Sequence, residues 1–287
     1  MATRILALVG TILLGVFALG FQIRSTATVS QNSGRSTPLP TPAAPTPSWP
    51  NLDRLSDLKN PQGTACGLDG AAPAGTEEAA VNRLRNRYRL PDSAFEDFTL
   101  EGLLTLPQGE ISPEQRIMMF PTSDSPEQQR AVSISGYVID VSVLGCGSRA
   151  ETRAIRGIRV PRQGLESANC YTNDSALCST QIILSPDRTV STRKSRNVFV
   201  VVITERSRLL ARSGLLVSNI GKNWSVETLR KKLRHQRARF SGWLFFNGNY
   251  RERAWQSDPQ DKIGKPNVRQ TAWEIHPVMG IEVSGSR

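Results

Sequence analysis

Two stretches decide the fold: Val132-Ser-Ile-Ser-Gly-Tyr-Val-Ile-Asp-Val141 and Ala238-Arg-Phe-Ser-Gly-Trp-Leu-Phe-Phe246. Their apolar residues recur with a period of two, the mark of a strand with one buried face. In the first, Val132, Ile134, Gly136 and Val138 share a face; in the second, Ala238, Phe240, Gly242 and Leu244 do. A glycine in mid-strand weakens a flat sheet. A small closed barrel needs one where a strand coils sharply and backbones approach. Three more β-runs are expected near residues 180–184, 197–204 and 271–283, the last carrying Pro277 and Gly280 as signs of a kink or bulge. A short helix is expected between the third and fourth strands, with Ser225 as its cap and Val226, Leu229 and Leu233 at helical spacing. The order β-β-β-α-β-β over residues 132–283, with long loops after the first and fourth strands, is the wiring of a Greek-key barrel of the OB type. The expected fold class is therefore mainly β: an OB-like five-stranded barrel with a helix between strands three and four, preceded by a small mixed α/β module.

Upstream, the chain divides by composition. Arg4 precedes a run of apolar residues and glycine, Ile5 to Phe21, interrupted only by Thr11. Seventeen helical residues would span roughly 25 Å against a hydrocarbon core of about 30 Å, between the lengths of a signal peptide and of a membrane span. Residues 1–28 are read as a signal anchor or signal peptide, leaning to an uncleaved anchor, with Ser25-Thr-Ala27 as the alternative cleavage site. Residues 29–50, rich in Pro, Thr, Ala and Ser, form a semi-rigid disordered linker. Residues 51–130 are the mixed module, in which Thr76 caps a helix that Pro91 ends, and residues 131–287 are the barrel domain. The expected location is outside the cytosol, anchored in the cytoplasmic membrane through residues 5–21 or secreted.

Four cysteines, Cys66, Cys146, Cys170 and Cys178, lie beyond the export segment, and an even count there points to two disulfides. Three pairings are open. The preferred one joins Cys170 to Cys178 across a short loop and Cys66 to Cys146. No two cysteines stand at zinc-ligand spacing and the only histidines are His235 and His276, so no metal site or cofactor is expected.

The net charge of +11 favours polyanionic partners or serves solubility alone. From Lys222 to Arg239, seven Lys or Arg face one acid, Glu227. Packing of the helix explains its leucines but not this density, so Arg230, Lys231 and Arg234 are candidate anion contacts. The loop after the fourth strand mixes Tyr250 and Trp255 with Arg251 and Arg253, a combination suited to stacking on bases or sugars. The loop after the first strand carries Arg149, Arg153, Arg156, Arg159 and Arg162 against one acid, Glu151; it reads either as the opposite wall of the same cleft or, more simply, as a mobile solvated loop. The alternating arginines of Asn82-Arg-Leu-Arg-Asn-Arg-Tyr-Arg89 read as a phosphate-reading arm, as a solvated face, or as partners of the following Asp92, Glu96 and Asp97.

Glu274 and His276 alternate on one strand and share a face, which makes them the weak catalytic candidates. A structural histidine beside Pro277 is the simpler account. The chain holds no Gly-x-Ser-x-Gly, no phosphate-cradling glycine loop and no His-Glu-x-x-His.

Several of these segments carry a resemblance. Cys66-Gly67, Asn82-Arg-Leu-Arg-Asn-Arg87, Gly136-Tyr-Val138, Glu166-Ser-Ala-Asn-Cys170, Ile182-Ile-Leu184, Phe240-Ser-Gly-Trp-Leu244 and above all Trp273-Glu-Ile-His-Pro-Val278 resemble a family of uncharacterised bacterial exported proteins. The resemblance implies an OB-like C-terminal domain and brings no activity. Where those proteins carry Asp and His at the start of the second strand, this chain has Ser179 and Gln181.

The leading expectation is an exported, membrane-tethered, non-enzymatic binding protein for a polyanion, either nucleic acid or acidic glycan. The alternatives are a nuclease-like hydrolase on an OB scaffold, with Asp140 and Glu274 as its strand-borne acids, and an envelope scaffold.

Overall fold

The computed structural model describes residues 49–60, 63–106, 130–144, 146, 152–155, 158–161, 166–172, 174–190, 197–254 and 269–285, without the side chains of 152–161 and 251–253. In chain order the elements are β1 (Leu55–Lys59), β2 (Ala65–Cys66), α1 (Glu77–Asn86), β3 (Glu96–Asp97), α2 (Leu100–Leu104), β4 (Ala131–Leu144), β5 (Thr152–Ile155), β6 (Ile158–Pro161), β7 (Ser179–Ser185), β8 (Phe199–Ile203), α3 (Glu205–Arg212), β9 (Val217–Ser218), α4 (Val226–Leu233), β10 (Arg237–Phe246) and β11 (Trp273–Val283).

Five of these strands close a barrel in the order β10-β11-β8-β7-β4, with β10 returning to β4. Every pairing is antiparallel except β8 with β11, which run parallel over Val200–Glu274 and Val201–Ile275. This is the expected OB-like barrel, and the strand bounds fall within about two residues of those read from the sequence.

The interior follows the pleat. Val132, Ile134 and Val138 of β4 point in; the register shifts between Val138 and Asp140, so Val141 returns to the core while Ile139 falls outside. Ile182, Leu184, Phe199, Val201, Ile203, Ala238, Phe240, Leu244, Ile275, Val278 and Ile281 complete the filling, and Val226, Leu229 and Leu233 of α4 plug one end. Each large side chain so buried stabilises the fold by about 1.5–3 kcal/mol. β8 is buried on both faces, because Val200 and Val202 join Ile139, Ile183 and Val198 in a second apolar cluster outside the barrel. That accounts for its unbroken Val/Ile run.

Both barrel glycines are close-approach points. A Cβ on Gly136 would lie 2.9 Å from Leu100 Cδ2, so this glycine lets α2 rest on the barrel wall. A Cβ on Gly242 would lie 2.5 Å from Ile275 Cγ2 and 3.0 Å from Val278 Cα. β10 and β11 lose register on either side of Gly242, so β11 bulges opposite it in the stretch holding Pro277 and Gly280.

The module ahead of the barrel is not a separate body. Residues 48–287 form one compact unit, and Leu52, Leu55, Leu58, Tyr88, Leu100 and Leu103 join the barrel's own core cluster. Thr76 caps α1 as expected, its side chain accepting from Ala79 N. Of the alternating arginines, Arg83 and Arg89 are exposed, as a solvated face requires, while Arg85 and Arg87 turn inward. Arg83 pairs with Asp69, Arg85 is buried, and Arg87 lies 4.5 Å over the Trp243 ring, with burial pulling its pKa down to about 9. Glu96 and Asp97 pair instead with Arg130 and Arg239.

α3 was not expected. Its sequence, Glu205-Arg-Ser-Arg-Leu-Leu-Ala-Arg212, reads as exposed, yet Glu205, Arg206 and Arg208 are among its buried residues. Thr204 caps it, accepting from Ser207 N. Arg208 donates to Glu205, to Thr180 Oγ1 and to the Cys178 carbonyl, and Arg206 donates from Nε to the Leu52 carbonyl at 2.9 Å. Burial lowers Arg206 to about 10.

The disulfides pair differently from the preferred reading: Cys66 with Cys170 and Cys146 with Cys178. Register decides the second. Leu144 of β4 faces Ser179 of β7, so Cys146 and Cys178, just past and just before those positions, are brought to a Cα separation of 5.6 Å. Cys170 closes the turn Ser167–Asn169, which is held to the module by bonds from Ala71 N to the Ser167 carbonyl and from Asn86 Nδ2 to the Ala168 carbonyl. It therefore meets Cys66. The run of residues 5–21 lies outside the described residues, and among the latter no helix is long and apolar enough to cross a membrane.

Two outcomes follow. Peptide mapping of the unreduced protein will return Cys66–Cys170 and Cys146–Cys178 cross-links and neither preferred pair. Gly242→Ala will destabilise the fold by about 1–3 kcal/mol, read as a fall in Tm of roughly 4–8 °C.

Candidate functional site

The basic segment is shaped by α4 and by its exit into β10. Ser225 Oγ accepts from Thr228 N at the start of the helix, and the apolar seam turns into the barrel. Arg230, Lys231 and Lys232 fill the last turn, where the helix dipole favours cations. The chain then turns through His235 in the left-handed region, φ 64°, with His235 N donating to the Val138 carbonyl at 2.8 Å. This turn leaves Arg234 and Arg237 exposed beside the helix. Arg230 donates to the Val141 carbonyl at 3.2 and 3.1 Å, and Lys232 Nζ to the Ile220 carbonyl at 2.6 Å. Lys231, Arg234 and Arg237 have no carboxylate partner among the described residues. Arg237 also lines a cleft of about 370 Å³, shared with Arg239, Asp97, Glu101, Ser133 and Ser135.

The second half of the expected ligand site lies elsewhere. Tyr250 follows the far end of β10, in the helical turn Gly248–Arg253, while Arg234 precedes its near end. Ten residues of strand separate them, roughly 30 Å. Arg230, Lys231 and Arg234 therefore lie by one end of β10 and Tyr250 by the other. One face of the Tyr250 ring is covered by Arg269, whose Cζ sits 3.9 Å from the centroid. The side chains of Arg251 and Arg253, the whole of Trp255, and the side chains of the arginines after the first barrel strand lie outside the described residues.

A third assembly is built on the outer face of β11. There Glu274 and His276 point away from the core that takes Trp273 and Ile275, and both are buried, at 2% and 1% exposure. Glu274 Oε2 accepts from Arg269 Nη1 at 2.7 Å, and its Oε1 from Asn247 Nδ2 at 3.1 Å and from His276 Nδ1 at 3.0 Å. Arg85 of α1 donates to Asn247 Oδ1 at 3.0 Å and lies over the Phe245 ring, whose edge meets the imidazole. Burial pushes the Glu274 carboxyl up, but Arg269, the His276 hydrogen bond and the Arg85 charge outweigh it and hold it at about 2. Burial lowers His276, against the pull of Glu274. The imidazole is therefore neutral and donates Nδ1–H to the carboxylate.

This network supplies the orienting groups for Glu274 and His276 that the sequence did not reveal: Arg85, Asn247 and Arg269. They arrive from a helix, a turn and a loop end, and no local pattern links them to β11. What they build is a bracket clamping α1 and the two ends of the 247–270 loop onto the barrel. His276 Nε2 has no hydrogen-bond partner among the described residues, and the side chain is buried. Asp140 is no second acid for Glu274. Asp140 faces Ile183, Ile183 faces Val200 and Val200 faces Glu274, so two apolar strands and roughly 14 Å separate the carboxylates. Among the described residues no group of three or more His, Cys, Asp or Glu is gathered to hold a metal ion.

The bracket makes acid the weak direction. Both groups bind fewer protons folded than unfolded, so stability falls as pH drops below the unfolded value of 6.5 for His276. It falls again from 4.5 towards about 2 for Glu274. Glu274→Gln strands Arg269 in the interior and will cost about 3–5 kcal/mol near neutrality while flattening the lower acid step, both read from urea unfolding across pH. Compared with known proteins, the chain matches no family model, no curated protein and no solved structure.

Proposed function

We propose that this protein is an exported, membrane-tethered binding protein that uses the α4 end of its barrel to hold a polyanion. One observation carries the reading. Among the described residues the molecule neutralises six arginines, through Arg83–Asp69, Arg130–Glu96, Arg239–Asp97, Arg208 and Arg212 with Glu205, and Arg269–Glu274, while the exposed Arg54, Arg89 and Arg188 lack a carboxylate partner but stand apart along the chain. At Lys231, Arg234 and Arg237 it leaves three exposed cations unpaired in seven residues of chain. Clustered like charge raises the cost of the folded state and is offset when phosphate, sulfate or carboxylate groups displace its counterions. Two disulfides support a location outside the cytosol, and the apolar run Ile5 to Phe21 with its Pro-rich spacer supports a tether. The buried Glu274–His276 pair favours binding over catalysis.

The test is a salt titration. Heparin, and separately single-stranded DNA, will bind the full chain with an affinity that drops steeply with ionic strength. In Lys231→Glu/Arg234→Glu/Arg237→Glu the slope of log K against log salt will shrink by about 2 for the single strand. Equal affinity of the two proteins, or binding indifferent to salt, overturns the reading.

A further inference from the structure

We propose that the surface the α4 end meets is the anionic phospholipid bilayer, with lipid phosphates against Lys222, Lys231, Lys232, Arg234 and Arg237 and with Val217 set among them. The inference rests on the polyanion reading and names its partner.

The first argument is what the basic face lacks. Proteins that hold single-stranded nucleic acid line a groove with rings on which successive bases stack. Trp224, next to α4, is buried, and Tyr250 lies at the far end of the barrel under Arg269. Tyr137, opposite Arg237, is a single half-buried ring. The cleft beside Arg237 is no anion channel either, because Asp97 and Glu101 line it together with Arg237 and Arg239.

The second argument is what the face adds. Of the large apolar side chains exposed among the described residues, Val217 is by far the most open, at 69% against 39% for Leu90 and 37% for Val143. It stands on β9, which runs beside β11 at the α4 end. On one side of it is Gly214, whose Cβ position lies 3.1 Å from Lys222 Nζ; on the other is Ile220, whose carbonyl takes Lys232 Nζ. An open apolar side chain in a segment whose neighbours Gly214 and Ile220 carry Lys222 and Lys232 against them suits the headgroup boundary, where cations meet phosphate and a methyl pair enters the acyl edge.

The third argument is geometric. The spacer at residues 29–50 would reach roughly 70 Å when extended, enough slack for either end of the barrel to face the membrane. A tethered domain samples the bilayer at high effective concentration, so a modest patch suffices.

The experiment uses the full chain reconstituted into vesicles of phosphatidylcholine alone or with about a third phosphatidylglycerol, and reads lysine acylation by mass spectrometry. On the anionic vesicles Lys222, Lys231 and Lys232 will react several-fold more slowly, while exposed Lys59 on β1 reacts at an unchanged rate. The protection will vanish near 1 M salt, where the screening length is about 3 Å. In Arg234→Glu/Arg237→Glu the protection will be largely lost, the docking constant falling by about tenfold or more. Identical rates on both vesicles overturn bilayer docking. If heparin or single-stranded DNA then protects the same lysines, the partner is a soluble polyanion and the reading above survives. If neither does, both fall together.

Discussion

Closure of the barrel at β10 is the constraint on which the rest depends. β10 must pair with β4 on one side and β11 on the other, and it can do so only because Gly242 lets the β11 backbone come within the space a side chain would fill. A closed cylinder has no exposed edges, so the chain gives up the commonest route by which β-proteins aggregate. Closure also creates two ends and an outer wall. One end receives the apolar seam of α4; the wall receives α1, α2 and the second apolar cluster.

The cations of this chain divide into two populations with different physical jobs. Arg85, Arg206, Arg208 and Arg269 are fasteners. Each is desolvated, and each donates to carbonyls, amides or carboxylates that hold a peripheral element to the barrel. Arginine suits this work because its planar fork satisfies several acceptors from one fixed position. The second population is the strip from Arg230 to Arg237, solvated and largely without acids. Net charge alone therefore overstates how much positive charge the surface carries free, because several of the described cations are internal fittings.

How much was legible in the sequence follows from what each feature depends on. Strands with alternating or continuous apolar residues stood out because burial acts on each residue locally; so did the caps Thr76 and Ser225, which need only a few neighbours. Gly136 and Gly242 pointed to closure because their absence of a side chain has few other uses in mid-strand. α3 was hidden because its buried side chains are charged, and a charged residue reads as exposed until its partners are known. The cysteine pairing was hidden because it depends on the register of β4 against β7. The distance between Arg234 and Tyr250 was hidden for a related reason: they are close in sequence but separated by the full run of a strand. The Glu274 bracket drew its members from four parts of the chain, and only the Glu274–His276 pair was adjacent enough to be seen.

The two disulfides interlace: the Cys66–Cys170 link encloses Cys146, and the Cys146–Cys178 link encloses Cys170. In a chain threaded amino end first into an oxidising space, the first sulfurs to meet are Cys66 and Cys146, which are not partners. Both links skip the next cysteine along the chain, so each joins segments that the fold, rather than chain order, brings together.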